Sequence, residues 1–241
     1  MGMLFLKNLI SVFFMQLYYK GPVPVAQAFA FPYNKPMINT VIFDIGQVLV
    51  DFNWKDYIHS LFRDEALIKE LEKAIWESRL WNEFDRGVMS DEEIISSMIR
   101  QKPEFEKEIR LTMSRIGETV ELRETTLPWI RTLKAKGYRV LFLSNYSIRL
   151  RQQNPDALCF LNEMDGGIFS YEVHLLKPDP DIYRILCEKY SLTPSEAVFL
   201  DDNAENIDSA IAFGLHAIRV FHAADAMKKL DQLLDAAQEQ L

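Results

Sequence analysis

The run Val41-Ile42-Phe43-Asp44-Ile45-Gly46-Gln47-Val48-Leu49-Val50 decides the fold. An apolar, β-branched segment delivers an aspartate into a glycine-containing turn, and a second apolar segment follows at once. A strand buried on both faces of a parallel sheet reads as such a continuous apolar run, with its polar residue where the strand ends. In doubly wound α/β folds, ligands bind in the crevice beyond the carboxyl ends of the strands. The pattern therefore predicts a first strand ending at Asp44 and sets that carboxylate where ligands gather. Two residues on, where a second acid could stand, the chain has Gly46.

Outward from this run, strand–helix alternation resumes late in the chain. Residues 138–143 form a short β-rich run ending in Ser144-Asn145. Before it, residues 128–136 have the period of an amphipathic helix, with Pro128 in its first turn and Gly137 as its stop. Residues 197–200 make another apolar run, ending in Asp201-Asp202. Residues 208–213, closed by Gly214, read as the next helix, 217–220 as a strand, and 224–240 as a terminal helix. Repeated strand–helix units with short connections imply an α/β fold, a doubly wound parallel sheet of Rossmann-like form. Between Asp51 and about Arg123 the character changes. Residues 54–80 and 91–120 are helix-rich, Ser90 and Glu93 form a capping box, and no strand pattern is evident. The expected organisation is an α/β core over 37–52 and 124–241, with an all-helical cap inserted over 53–123.

The 241 residues suffice for a core with an insert, and 49% apolar with 26% charged residues is an ordinary globular composition. A net charge of −8 argues against a nucleic-acid partner, because no basic surplus is present to neutralise a phosphate backbone. A small phosphate ester held by one or two local cations is compatible with it. Cys159 and Cys187 lack metal-ligand spacing and read as buried free thiols, and the four histidines show no ligand spacing either. Residues 1–36 read either as an extension with no fold of its own or as a targeting segment. Their apolar stretch is shorter than the ~20 residues a membrane span needs. The expected location is cytoplasmic, with export as the alternative if residues 1–30 are a cleaved signal.

Four strand-end features now line up: Asp44, Ser144-Asn145, Lys177 within Lys177-Pro178-Asp179-Pro180, and Asp201-Asp202. Asp44 with the acidic pair can hold Mg²⁺, which favours oxygen ligands. Lys177 can neutralise a phosphate, and Ser144 can donate a hydrogen bond to it. Asp44 can attack phosphorus in line, giving an aspartyl-phosphate that water then hydrolyses.

On these residues, roughly 37 to 225, the chain resembles the haloacid dehalogenase-like hydrolase superfamily in its helical-cap subgroup. The four motifs are Phe43-Asp44-Ile45-Gly46, Leu143-Ser144-Asn145, Lys177-Pro178-Asp179-Pro180, and Leu200-Asp201-Asp202-Asn203 with Asn206-Ile207. Asp85-Arg86-Gly87 with Ser90, and the run 201–207, look most like a branch of sugar-phosphate phosphatases that includes one acting on α-glucose 1-phosphate. The resemblance implies Asp44 as nucleophile, Ser144 and Lys177 as catalytic phosphate-binding groups, and Asn145 beside the substrate. It implies a metal held by Asp44, the carbonyl of Gly46, Asp202 as the direct ligand, and Asp201.

The chain departs from the superfamily at Gly46, where most of its phosphatases carry the aspartate that protonates the leaving group. General acid–base catalysis is worth typically ~10²–10⁴-fold. Asp51, or an acid of the insert such as Asp85, could substitute, or the leaving group could need little protonation, as an anomeric hydroxyl does. Sugar 1-phosphates or acyl phosphates are then expected to exceed simple alkyl phosphates as substrates. Two other functions compete with the phosphatase. One is a metal-free 2-haloacid dehalogenase, for which an acidic pair that repels a carboxylate substrate has no purpose. The other is a catalytically impaired phosphate-binding regulatory protein. Trp54, Trp76, Trp81 and Phe84 read as packing of the insert rather than as a sugar platform.

Overall fold

The computed structural model describes residues 37–238, so the expectations for residues 1–36 lie outside the described residues. Seven strands are described: β1 (Thr40–Phe43), β2 (Val50–Phe52), β3 (Val120–Leu122), β4 (Arg139–Ser144), β5 (Gly166–Phe169), β6 (Ala197–Asp201) and β7 (His216–Arg219). Five of them form one parallel sheet in the order β5-β4-β1-β6-β7, with β1 at its centre. Val41, Ile42 and Phe43 are each fully buried. Val41 and Phe43 face one apolar cluster and Ile42 the other, which is why the run is apolar throughout rather than alternating.

The helices before the sheet resumes are α1 (Trp54–Leu61), α2 (Glu65–Ile75), α3 (Arg79–Arg86), α4 (Asp91–Gln101) and α5 (Glu106–Ser114). Those that follow are α6 (Thr126–Ala135), α7 (Ile148–Gln153), α8 (Ser170–Val173), α9 (Pro180–Tyr190), α10 (Ala204–Phe213) and α11 (Ala223–Gln238). Trp129, Ile130 and Leu133 of α6 and Leu230 and Leu234 of α11 join the cluster below Val41 and Phe43. Ile182 and Leu186 of α9 and Ile207 and Ala210 of α10 join the cluster on the other face. The sheet is therefore sandwiched between two helical layers, as strand–helix alternation predicts.

The cap grows from this core. Helices α1–α5 bury Ile58, Leu71, Ile75, Ile94 and Met98 in the same cluster as one face of the sheet. The capping box at Ser90 is present, the hydroxyl accepting from the Glu93 amide and the Glu93 carboxylate accepting from the Ser90 amide. Trp54 stacks on Trp76 at 4.9 Å and Trp81 meets Phe84 at 5.5 Å, so the cap aromatics pack on one another.

Several sequence expectations need correction. Residues 51–123 are not free of strands: β2 and β3 pair antiparallel, Asp51 opposite Glu121, where the chain leaves the core and returns to it. Three-residue strands are too short to show alternation. β5 was also not foreseen, because Gly166-Gly167 carries no strand signal. A Cβ on Gly167 would lie 2.3 Å from the Phe142 ring, so the glycine lets the edge strand close on β4. α10 begins at Ala204 because Asn203 caps it, accepting from the Glu205 amide. α6 begins at Thr126, ahead of Pro128. Cys159 is exposed, whereas Cys187 is buried, and both thiols are free.

Candidate active site

Parallel register places the functional residues. Phe43 lies level with Phe142 and Leu200, so Asp44 and Asp201, the next residues of their chains, emerge side by side at the carboxyl edge. The Asp44 amide donates to the Leu200 carbonyl at 2.8 Å, holding the pairing to that point. Ser144 ends β4 level with Phe169 of β5. Asp44, Ser144, Lys177 and Asp201 are all buried.

The Lys177 ammonium sits between two carboxylates, 2.8 Å from Asp44 Oδ1 and 2.6 Å from Asp201 Oδ2, and its side chain is 1% exposed. Burial alone disfavours that cation, but the charges of Asp201 and Asp44 overcome it and raise its pKa above the ordinary lysine value. The cation is thus permanent at physiological pH. Burial pushes the Asp44 carboxyl up to about 7, with Lys177 opposing the shift and Asp201 adding to it.

Asp201 spends its oxygens on structure. Oδ1 accepts from the Asn203 amide at 2.8 Å and from Asn206 Nδ2 at 3.0 Å; Oδ2 accepts from Lys177 Nζ and from the same Asn206 nitrogen. The half-buried Asp202 carboxyl is raised by burial and by the charge of Asp201. Asp44, Asp201 and Asp202 each offer an oxygen, and these atoms all lie within 4.8 Å of one another. Three converging carboxylate oxygens fit a hard divalent cation such as Mg²⁺.

Asn145, expected beside the substrate, commits its amide to the chain that carries the lysine. Its Nδ2 donates to the Lys177 carbonyl at 3.0 Å, and its Oδ1 accepts from the Lys177 amide at 2.8 Å. Ser144 Oγ is buried without a hydrogen-bond partner among the described residues.

Gly46 lies in the turn that leaves Asp44, where the amides of Leu49 and Val50 both donate to the Ile45 carbonyl. Arg123 anchors this turn by donating to the Gln47 carbonyl at 2.7 Å. Its Nε also donates to Asp51 Oδ1 at 2.7 Å. Asp51 is thereby held in an ion pair on the β2–β3 ribbon. Asp85, the other candidate acid, is 8% exposed at the end of α3. The sequence reading missed Arg123, Tyr146 and Ser170. Arg123 pairs with Asp51 and the Gln47 carbonyl, and Ser170 Oγ joins the Tyr146 amide to the Asp85 carbonyl, long-range contacts that leave no motif.

No helix among the described residues is long and apolar enough to cross a membrane. A family model for haloacid dehalogenase-like hydrolases matches residues 38–214. Among curated relatives, drimenol cyclase drtB of Aspergillus calidoustus is 28% identical over 202 residues, 80% of this chain and 36% of its own. (S)-2-haloacid dehalogenase 1 of Pseudomonas sp. (strain CBS-3) is 33% identical over 88 residues, 36% of this chain and 39% of its own. Sesquiterpene phosphatase astK of Aspergillus oryzae is 26% identical over 200 residues, 80% of this chain and 95% of its own. The chain spans 36%, 19% and 39% of the lengths of the first three relatives. A solved enzyme of Bacteroides thetaiotaomicron, in complex with magnesium and inorganic phosphate, shares the fold with a TM-score of 0.60 at 16% identity. That likeness covers 76% of this chain and 93% of the other.

Proposed function

Because this chain belongs to the haloacid dehalogenase-like hydrolases, we propose that within that hydrolase family it is a Mg²⁺-dependent phosphatase of small phosphate esters, sugar phosphates among them. The observation that carries this reading is the convergence of Asp44, Asp201 and Asp202 around the buried Lys177. Asp44, the Gly46 carbonyl, Asp202 and Asp201 would hold Mg²⁺, with Asp202 the direct ligand because Asp201 already serves Lys177 and Asn206. When bound, the ion offsets the charge of the phosphate.

The chain's own groups supply the rest. Asp44 attacks phosphorus, and the P–O bond to the leaving group breaks as an aspartyl-phosphate forms. Lys177 orients Asp44 and balances the charge that the phosphoryl group brings. Ser144 Oγ donates to a phosphoryl oxygen. Asn145 positions Lys177 through its backbone. The cap excludes bulk water during the first step. The presence of a phosphatase among the relatives supports the reading. A dehalogenase is also among them, but a haloacid carboxylate would meet two further carboxylates here.

A cavity of about 570 Å³ beside the turn after α3 is lined by the apolar Phe84, Met89, Ile148 and Tyr171 and by the polar Ser90, Asp91 and Glu92. That lining suits an apolar group as well as a sugar, and the relatives named for drimenol and sesquiterpene chemistry point the same way. The test is a screen of glucose 1-phosphate, glucose 6-phosphate, a prenyl monophosphate and 2-chloropropionate, with Mg²⁺ or EDTA. Phosphate release that EDTA abolishes and Mg²⁺ restores is the expected result. Chloride release undiminished by EDTA, with no phosphate released, would replace the phosphatase by a dehalogenase.

A further inference from the structure

Any alkyl phosphate needs a proton for its leaving oxygen, and the water that hydrolyses the aspartyl-phosphate must lose one. Around Asp44 the obvious groups cannot do this. Gly46 has no side chain, Lys177 is a permanent cation shared by two carboxylates, and Asp51 is paired with Arg123. We propose that Asp85 of the cap is the acid that protonates the leaving oxygen and then the base that takes the proton of the attacking water. The proposal rests on the phosphatase reading above.

Three observations support it. First, Asp85 is 8% exposed, and its Oδ1 has no hydrogen-bond partner among the described residues. A buried carboxyl left unpaired is costly and is retained where a ligand can use it. Second, Ser170 Oγ bridges the Asp85 carbonyl and the Tyr146 amide, which sets the end of α3 beside the segment that follows Ser144, and the charges of Asp44 and Lys177 act on the Asp85 carboxyl. Tyr146, whose buried hydroxyl is also unpaired, is raised above the ordinary tyrosine pKa by burial and by the charge of Asp85. The Asp85 charge acts on Tyr146, two residues after Ser144, so the cap acid faces the segment that leaves β4.

Third, the position is built. The Asp85 carbonyl accepts from Ser170 Oγ at 2.5 Å, and Ser170 Oγ accepts from the Tyr146 amide at 3.0 Å. His174 Nδ1 lies 3.0 Å from the Arg86 carbonyl. Gly87 then ends α3 at φ 68°, where a Cβ would lie 2.6 Å from that of Tyr171. These contacts seat the end of α3 on the segments that follow β4 and β5. Burial pushes the Asp85 carboxyl up to about 8, the charge of Asp44 adding to the shift and Lys177 opposing it. The group is therefore protonated near neutrality, as a general acid must be.

The steps balance. Asp44 Oδ bonds to phosphorus, the P–O bond to the leaving group breaks, and the departing oxygen takes the Asp85 proton. Water then attacks phosphorus and gives its proton to Asp85, and the bond from phosphorus to Asp44 breaks. Alcohol and phosphate leave, and both carboxyl groups return to their starting states. An acid at this position also removes the restriction to activated leaving groups that Gly46 alone implies.

The test compares Asp85→Asn with wild type on an alkyl phosphate and on p-nitrophenyl phosphate, whose leaving group needs no proton, both with Mg²⁺. In single turnover the variant should lose ~10²–10⁴-fold on the alkyl ester. With excess p-nitrophenyl phosphate it should release nitrophenolate in a burst whose rate is within about 10-fold of wild type, followed by a slow phase because the second step lacks its base. A base-labile phosphoenzyme should accumulate. Gly46→Asp, whose added Cβ meets nothing within 4 Å, should restore alkyl hydrolysis in the Asp85→Asn background. In EDTA at pH 8 the Tm of Asp85→Asn should match or exceed that of wild type. A carboxyl whose folded pKa is raised weakens the fold as pH climbs above its unfolded value. Equal loss on both esters without phosphoenzyme, unchanged alkyl turnover, or a lower Tm would each overturn the assignment. Failure of wild type itself on both esters would instead remove the phosphatase reading.

Discussion

Replacing Lys177 by methionine is expected to destabilise the fold by about 3–5 kcal/mol at pH 8 in addition to abolishing turnover. The lysine is the sole cation of a buried trio, with Asp44 at 2.8 Å and Asp201 at 2.6 Å. Removing it leaves two largely buried carboxylates facing each other without a cation between them. For a domain of this size the loss corresponds to a fall in Tm on the order of 10 °C. The sign of the pH dependence follows from Asp44. Its folded pKa is raised to about 7 even with Lys177 opposing the shift, and the variant loses that opposition. A carboxyl raised above its unfolded value binds more protons when folded, so its penalty grows with pH above about 4 and shrinks as pH falls. The Tm deficit of Lys177→Met, followed by circular dichroism in EDTA, should therefore narrow from pH 8 to pH 5.5. A variant melting within 2 °C of wild type at pH 8 would show that the trio carries no such strain.

The opposite change at the same trio should have the opposite effect on stability. Asp44→Asn leaves one cation facing one anion, Lys177 with Asp201, and removes a carboxyl that burial opposes. The variant is expected to fold with a Tm at or above that of wild type in EDTA at pH 8. It is also expected to lose more than about 10³-fold in turnover, because an amide does not attack phosphorus. The pairing of a stable fold with lost activity separates a chemical role from a structural one. Measurable phosphate release at more than a tenth of the wild-type rate would remove Asp44 as nucleophile. The two substitutions together test one arrangement: a single buried cation offsets part of the charge of two acids.

Much of this was legible in the chain. The continuous apolar run 41–43 identified a central strand because that strand is buried on both faces. The polar residues at the ends of β1, β4 and β6 named the site because parallel strands bring their carboxyl ends to one edge. The short β2–β3 ribbon was invisible, since three residues cannot display a period. β5 was invisible because its two glycines answer to the Phe142 ring, a long-range neighbour, rather than to strand propensity.

The site divides in the same way. Asp44, Ser144, Lys177, Asp201 and Asp202 could be singled out from sequence, because each sits within a local strand-end or loop motif. The amide of Asn145 could not be assigned to the Lys177 backbone, since that contact spans 32 positions. Nor could the sequence choose between Asp51 and Asp85 as the acid that Gly46 lacks. Tertiary structure distinguishes them: Asp51 is paired with Arg123 on the ribbon, while the buried Asp85 Oδ1 has no hydrogen-bond partner among the described residues. The sequence by itself determined β1, β4, β6 and β7 and the polar residues where the first three end, because those depend on local periodicity and on where each strand stops. Only the tertiary structure showed that Asp51 is paired with Arg123 while Asp85 is buried, because ion pairing and burial depend on distant neighbours, and neither is written in the order of residues.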